Sequence, residues 1–181
     1  HERRHLVSNI LLTLSLLLVN LLCSGAMVYL AQWANSKDFG LLRWLDAGIF
    51  AQVAVGIVAL DFWAAYVSHV LFHKIPWLWR FHSVHHSDRM VDVTTAFRQH
   101  PIESVFRILF YASGMIMLGI PLWVLMLYLT LSGINAQFEH ANVKVHQSLD
   151  TFLQHFYVTP NMHKVHHSRI QPETDSNYSN I

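Results

Sequence analysis

"LVSNILLTLSLLLVNLLCSGAMVYLAQWA", residues 6–34, runs for 29 positions without a charged side chain. A helix crossing the hydrocarbon core of a bilayer needs about 20 apolar residues, so this run is long enough to span. It is too long for a secretory leader, whose apolar stretch is about 7–15 residues before a small-residue cleavage site. The chain begins at His1 with no methionine, and its start is expected to be cut.

Working outward, the same pattern recurs. An apolar stretch from Ala47 is interrupted by Asp61 and continues to Phe72. Residues 105–137 hold one charge, Arg107, and are broken by Gly119-Ile120-Pro121, a turn signal between two helices. The reading is an all-α integral membrane protein with four transmembrane helices, over about 6–33, 46–73, 104–119 and 121–140. A His-rich helical cap is expected over about 74–103 and 141–181. The whole chain, 1–181, is read as one domain.

Composition agrees with this. The chain is 53% hydrophobic and 13% charged, against about 25% charged in soluble domains. A net charge of +1 excludes the basic footprint of a nucleic-acid binder. One cysteine, Cys23, excludes an internal disulfide and a Cys-based metal site. Ten of the twelve basic residues fall on one side of the expected spans, leaving Lys37 and Arg43 on the other. The positive-inside rule therefore puts both termini and the cap in the cytoplasm, at a bacterial inner membrane or endoplasmic reticulum. Trp77, Trp79 and Trp123 are read as interface anchors.

The cap carries the chemistry. "RFHSVHHSDR" (80–89) and "NMHKVHHSRI" (161–170) share His-x-x-His-His. Fourteen of 181 residues are histidine, a frequency at which chance gives well under one copy of that motif. Positions i, i+3 and i+4 share a helical face, so His82, His85 and His86 can converge, as can His163, His166 and His167. His69 and His73 lie one turn apart, and His140 ends the fourth span. Neutral imidazole is the commonest metal ligand. Nine candidates exceed the four that one structural zinc takes and suit two ions. Imidazole ligation alone does not choose between zinc, copper, iron and nickel. His1, His5, His146 and His155 fit no pattern and are read as ordinary interfacial histidines. Asp61 lies on the flank of the His69 face and is read as a hydrogen-bonding or helix-packing group rather than a ligand.

In this order and on a four-span chain, the motifs resemble the fatty acid hydroxylase superfamily of membrane di-iron oxygenases. The closest likeness is to its sterol desaturase-like branch, through "DFWAAYVSHVLFH", "WLWRFHSVHHSDRMVDVTTAFRQHPIE", "FEHANV" and "VTPNMHKVHHSRIQPETDSNYSN". The family continues beyond "DSNYSN" into a Trp-Asp-Arg segment, which the chain, ending at Ile181, does not reach.

The resemblance implies two iron ions (zinc being possible in purified protein), O2, and oxidation of a C–H bond of a sterol, fatty acyl or related lipid from the bilayer, by hydroxylation or desaturation. The di-metal centre itself is then the catalyst, with no separate catalytic side chain. No haem, flavin or nucleotide motif is visible, so electrons must come from a donor protein, cytochrome b5-like or a ferredoxin with its reductase. Asp175 and Asn177 match the family's closing motif and are expected to orient ligand imidazoles, with a polar turn as the alternative. His100, before Pro101, is a tenth ligand, an orienting group or a helix cap. The readings from other classes are a membrane protein with a structural zinc cap and a metal transporter. If the substrate is a lipid, helices two to four should enclose an apolar cleft beneath the cap with Asp61 nearby.

Overall fold

The structure, a computed structural model, describes residues 2–180; His1 and Ile181, and with His1 its reading as an interfacial histidine, lie outside the described residues. The described residues are helical, with no strand. The helices are α1 (Glu2–Ser36), α2 (Leu41–Trp44), α3 (Ile49–Leu60), α4 (Ser68–Lys74), α5 (Pro76–His86), α6 (Pro101–Leu118), α7 (Leu122–His140), α8 (Gln147–Leu153) and α9 (Pro160–His166). A π-helical stretch, Asp61–Val67, joins α3 to α4 in one continuous rod, and Thr95–Phe97 forms a 3₁₀ turn.

Three segments are long and apolar enough to cross a membrane: Arg3–Trp44, Ile49–Lys74 and Pro101–Leu118. The fourth expected span is α7, of 19 residues, and is not among them; its last turns carry Asn135, Glu139 and His140, all buried. α1 shows why burial cannot hold such a helix in water: Leu14, Leu17, Leu18, Leu21 and Leu22 all point away from the protein. A helix apolar all round suits hydrocarbon rather than water.

The turn read at Gly119-Ile120-Pro121 is present. Gly119 ends α6 in the left-handed conformation (φ 71°), and Pro121 is the N-cap of α7. Glycine is also required sterically there, because a Cβ on Gly119 would lie 2.7 Å from the Phe39 carbonyl oxygen and 2.9 Å from the Gly40 backbone. An apolar core of Leu42, Leu60, Met115, Ile120, Val124, Leu125 and Tyr128 sits at this end. The opposite end has a core of histidine.

Candidate metal centre

α5 and α9 carry the two repeats. Each opens on proline at its first turn, Pro76 and Pro160, whose fixed φ suits that position. Thr159 caps α9 by accepting from the Met162 N–H and is itself held by Asp150, to which its hydroxyl donates at 2.6 Å. α4 presents His69 and His73, and α7 ends on His140. These four helices bring all nine histidines together in two groups.

The first group is His69, His73, His82, His86 and His166; the second is His85, His140, His163 and His167. Within each, one nitrogen per residue lies within 4.8 Å of every other. Seven of the nine are buried and two, His73 and His86, partly so. Each repeat is split between groups: α5 gives His82 and His86 to the first and His85 to the second, while α9 gives His166 to the first and His163, with His167 just beyond it, to the second.

The outer hydrogen bonds decide what these rings present to the centre. His69 Nδ1 donates to the Tyr178 carbonyl (2.9 Å), His166 Nδ1 to the Ser176 carbonyl (2.6 Å) and His140 Nδ1 to the Ala136 carbonyl (2.7 Å). His82 Nδ1 donates to Glu103 Oε1 at 2.9 Å. Carbonyl and carboxylate oxygens only accept, so each Nδ1 holds the proton and each Nε2 turns a lone pair inward. His69 Nε2 then faces those of His82 and His166 at 3.0 and 3.1 Å. His140 Nε2 faces those of His163, His167 and His85 at 3.0, 3.1 and 3.2 Å.

Lone pairs so directed repel unless a cation shares them. Nitrogens each about 2.0–2.1 Å from one ion have separations of this order. Six further ring nitrogens are buried and, among the described residues, accept or donate no hydrogen bond: His73 Nε2, both nitrogens of His86, and the outer Nδ1 atoms of His85, His163 and His167, whose Nε2 atoms face His140. Each such group costs about 1–3 kcal/mol unless something else binds it. Burial and neighbouring imidazoles push His85, His86, His163 and His167 well below the usual histidine range, and His166 down to about 3. The rings are therefore neutral, the form that ligates metal. The residues present fit two transition-metal ions.

The remaining expected residues fall as follows. Asp175 accepts from His73 Nδ1 (3.3 Å), Lys74 (2.7 Å) and Tyr178 (3.1 Å), so it orients one imidazole. Asn177 does not touch one: its amide donates to the Met162 carbonyl at 3.2 Å, in a left-handed turn (φ 52°). That turn delivers the neighbouring Ser176 and Tyr178 carbonyls to His166 and His69. His100 stands outside both groups and caps α6, accepting from the Ile102 N–H. Asp61 accepts from the Tyr128 hydroxyl at 3.1 Å, tying the rod to α7. Trp79, half-buried, packs its ring on His73 and His86, with centroids 4.9 and 5.3 Å away. His146 caps α8, and His155 contacts the Phe152 carbonyl at 3.3 Å.

Two carboxylates were missed. Glu103 is fully buried, holds His82, and accepts from Arg107 Nε at 2.9 Å. Glu139, 2% exposed, has Oε2 3.8 Å from His163 Nδ1 while Asn135 donates to its Oε1 at 3.0 Å. The available signal was an acid in an apolar helix, at "HPIE" and "FEH".

A cavity of about 710 Å³ lies against both groups. His69, His82, His85, His140 and His163 form one end, and Ile108, Leu125 and Leu129 are among its mostly apolar walls. The walls come mainly from α1, α6 and α7, with residues 96, 97, 99 and 178–180 also contributing; the rod contributes only Ala65 and His69. An apolar cleft beneath the histidines is thus present and is lined by helices two to four, but the expectation that these helices alone enclose it, beside Asp61, is corrected. Asp61 is absorbed in packing against Tyr128, and α1 closes the side instead.

The model of the fatty acid hydroxylase family matches residues 53–181. Ornithine lipid hydroxylase OlsE of Rhizobium tropici is 32% identical over 127 residues, 70% of this chain and 37% of the relative. Alkylglycerol monooxygenase is 27% identical in Homo sapiens and 29% in Danio rerio, each over 154 residues, 84% of this chain and 32% of the relative. The chain therefore spans about a third of the length of the curated relatives it matches. No solved structure matches it. An all-helical chain with two histidine groups of metal-binding geometry is the class defined by fold and site, and the chain belongs to the fatty acid hydroxylase family.

Proposed function

We propose that this chain is the catalytic domain of a membrane oxygenase that uses two iron ions, O2 and external electrons to oxidise a C–H bond of a lipid. The observation that carries the reading is that nine imidazoles converge in two groups and that five of them, drawn from both groups, line one mostly apolar cavity. A zinc cap built only for stability has no need of such a cavity. A transporter would carry its ligands near the midplane of its spans, whereas these sit at one end of the helices.

His69, His73, His82, His86 and His166 would hold one ion, and His85, His140, His163 and His167 the other. Bound iron would supply the activation of O2 and the oxidising power. The chain's own groups do the rest. Glu103, Asp175 and the Ser176, Tyr178 and Ala136 carbonyls fix tautomer and ring direction. The apolar walls of α1, α6 and α7 take a hydrocarbon chain and keep water from it. α7 is the fourth span in this reading, and the excess of basic residues on the cap side supports a cytoplasmic cap and cytoplasmic termini. There a cytochrome b5-like or ferredoxin-type donor can reach it. The names of the relatives, a hydroxylase and a monooxygenase, support hydroxylation over desaturation.

Lipid extracts of cells with and without the protein test this. A product heavier by one oxygen, absent with His166→Ala, is expected. A product lighter by two hydrogens would convert the reading to desaturation, and no lipid change in iron-replete cells with a supplied reductase would remove it.

A further inference from the structure

α1 is fastened at its two ends. At the cap, His5 lies 2.9 Å from Asp88 and 3.1 Å from Asp92. One turn on, the fully buried Asn9 donates to Asp88 (3.1 Å) and Thr94 (2.7 Å) and accepts from Arg98 (2.7 Å). At the far end, Trp33 packs on Phe39 in the link that follows α1, and Arg43 of the adjoining α2 donates to the Gly119 carbonyl at 2.8 Å. Between these points α1 packs on α6, and among the described residues it makes at most passing contact with α7.

The cavity occupies that unpacked seam. Asn20, Ser24 and Val28 of α1 and Met126 of α7 line it, yet all four are exposed. Gly133 also lines it, and a Cβ there would meet nothing within 4 Å. The lining runs along α7 from Ala136 to Leu122, about 21 Å at 1.5 Å per residue.

From this we propose that the seam between α1 and α7 is the entrance through which a lipid hydrocarbon chain passes sideways from the bilayer to the histidine groups. The occupant follows from dimensions and chemistry. It must be apolar enough for Val28, Met126 and Leu129, and reach the histidines along a slot about 20 Å long. A flexible alkyl chain does so. A partner helix, about 10 Å across with its side chains, would cover the seam from outside without entering it. The end fastenings let the middle of α1 yield by a small amount while the cap stays in register. The inference rests on the lipid-oxygenase reading for its substrate, but not on turnover for its test.

The test uses the metal-loaded protein in phosphatidylcholine vesicles with a trace of a long-chain fatty alcohol bearing a diazirine. After illumination, labelled residues are mapped by mass spectrometry. Label is expected inside the cavity, at Ile108, Leu125 or Ala136, and on the outward-facing Leu14 and Leu21. Gly133→Trp on α7 and Ser24→Trp on α1 should each lower the interior label at least about tenfold and leave Leu14 and Leu21 unchanged. Retained label at those two leucines, with retained metal, shows that each variant is folded. Undiminished interior label in both variants overturns the entrance, as does interior labelling of the native protein by a water-soluble diazirine amphiphile alone. Seam-dependent labelling by the fatty alcohol without oxidation of any lipid would uphold the entrance while the oxygenase reading fell.

Discussion

The two His-x-x-His-His repeats are alike in sequence and differ in their surroundings. The first residue of each, His82 and His163, directs Nδ1 toward a buried glutamate. Glu103 meets His82 at 2.9 Å and is backed by Arg107, whose guanidinium also lies over the Phe72 ring at 5.2 Å. Glu139 stands 3.8 Å from His163 with an amide, Asn135, beside it, and among the described residues no Lys or Arg pairs with it. α4 adds two histidines to the group containing His82, whereas α7 adds only His140 to the group containing His163. One motif thus builds a five-nitrogen group with a firm outer shell and a four-nitrogen group with a looser one. A repeated motif supplies ligand direction; what stands behind it sets how rigidly each ion would be held.

The sharpest way to break this comparison is to remove one ligand from each group. His85→Ala leaves three histidines in the second group, and metal content should fall from about two ions per chain to about one. His73→Ala leaves four in the first, and the loss should be partial. Elemental analysis of washed protein measures both, and equal losses would erase the distinction. Next come the carboxylates. Glu103→Ala should lower stability by about 3–5 kcal/mol, since Arg107 is left without its partner in a largely buried site, and should weaken metal retention about 10–100-fold. Glu139→Gln should change retention by less than about tenfold. Thermal unfolding in detergent and competition with a chelator would report the two effects, and reversal of that order would show Glu139 to be the stronger support. Smallest are the bystanders: His146→Ala and His155→Ala should shift stability by no more than about 0.5 kcal/mol and leave metal content unchanged. Loss of an ion from either would extend the ligand set beyond the nine.

How much of this was legible follows from the range of each interaction. The apolar runs, the Gly119-Ile120-Pro121 turn and the paired histidines are local patterns, and a local period survives in the sequence. The function of "TDSNY" was legible as an orienting segment but assigned to the wrong atoms in part. Asp175 acts through its carboxylate, while the segment's other contributions are the Ser176 and Tyr178 backbone carbonyls, which residue identity does not encode. His100 resolved to a cap because the proline after it starts α6.

The sequence by itself determined that this chain is helical, that several of its helices are as apolar as hydrocarbon, and that nine histidines stand ready at the helix ends. Those are consequences of composition and of 3.6-residue spacing. Only the tertiary structure decided which histidine joins which group, that Glu103 and Glu139 stand behind them, and that α1 rather than the α3–α4 rod walls the cavity. Each of these depends on residues far apart in the chain meeting across helix interfaces, such as His69 with His166 or Asn9 with Arg98. No periodicity records such meetings, because they are settled by how the helices pack.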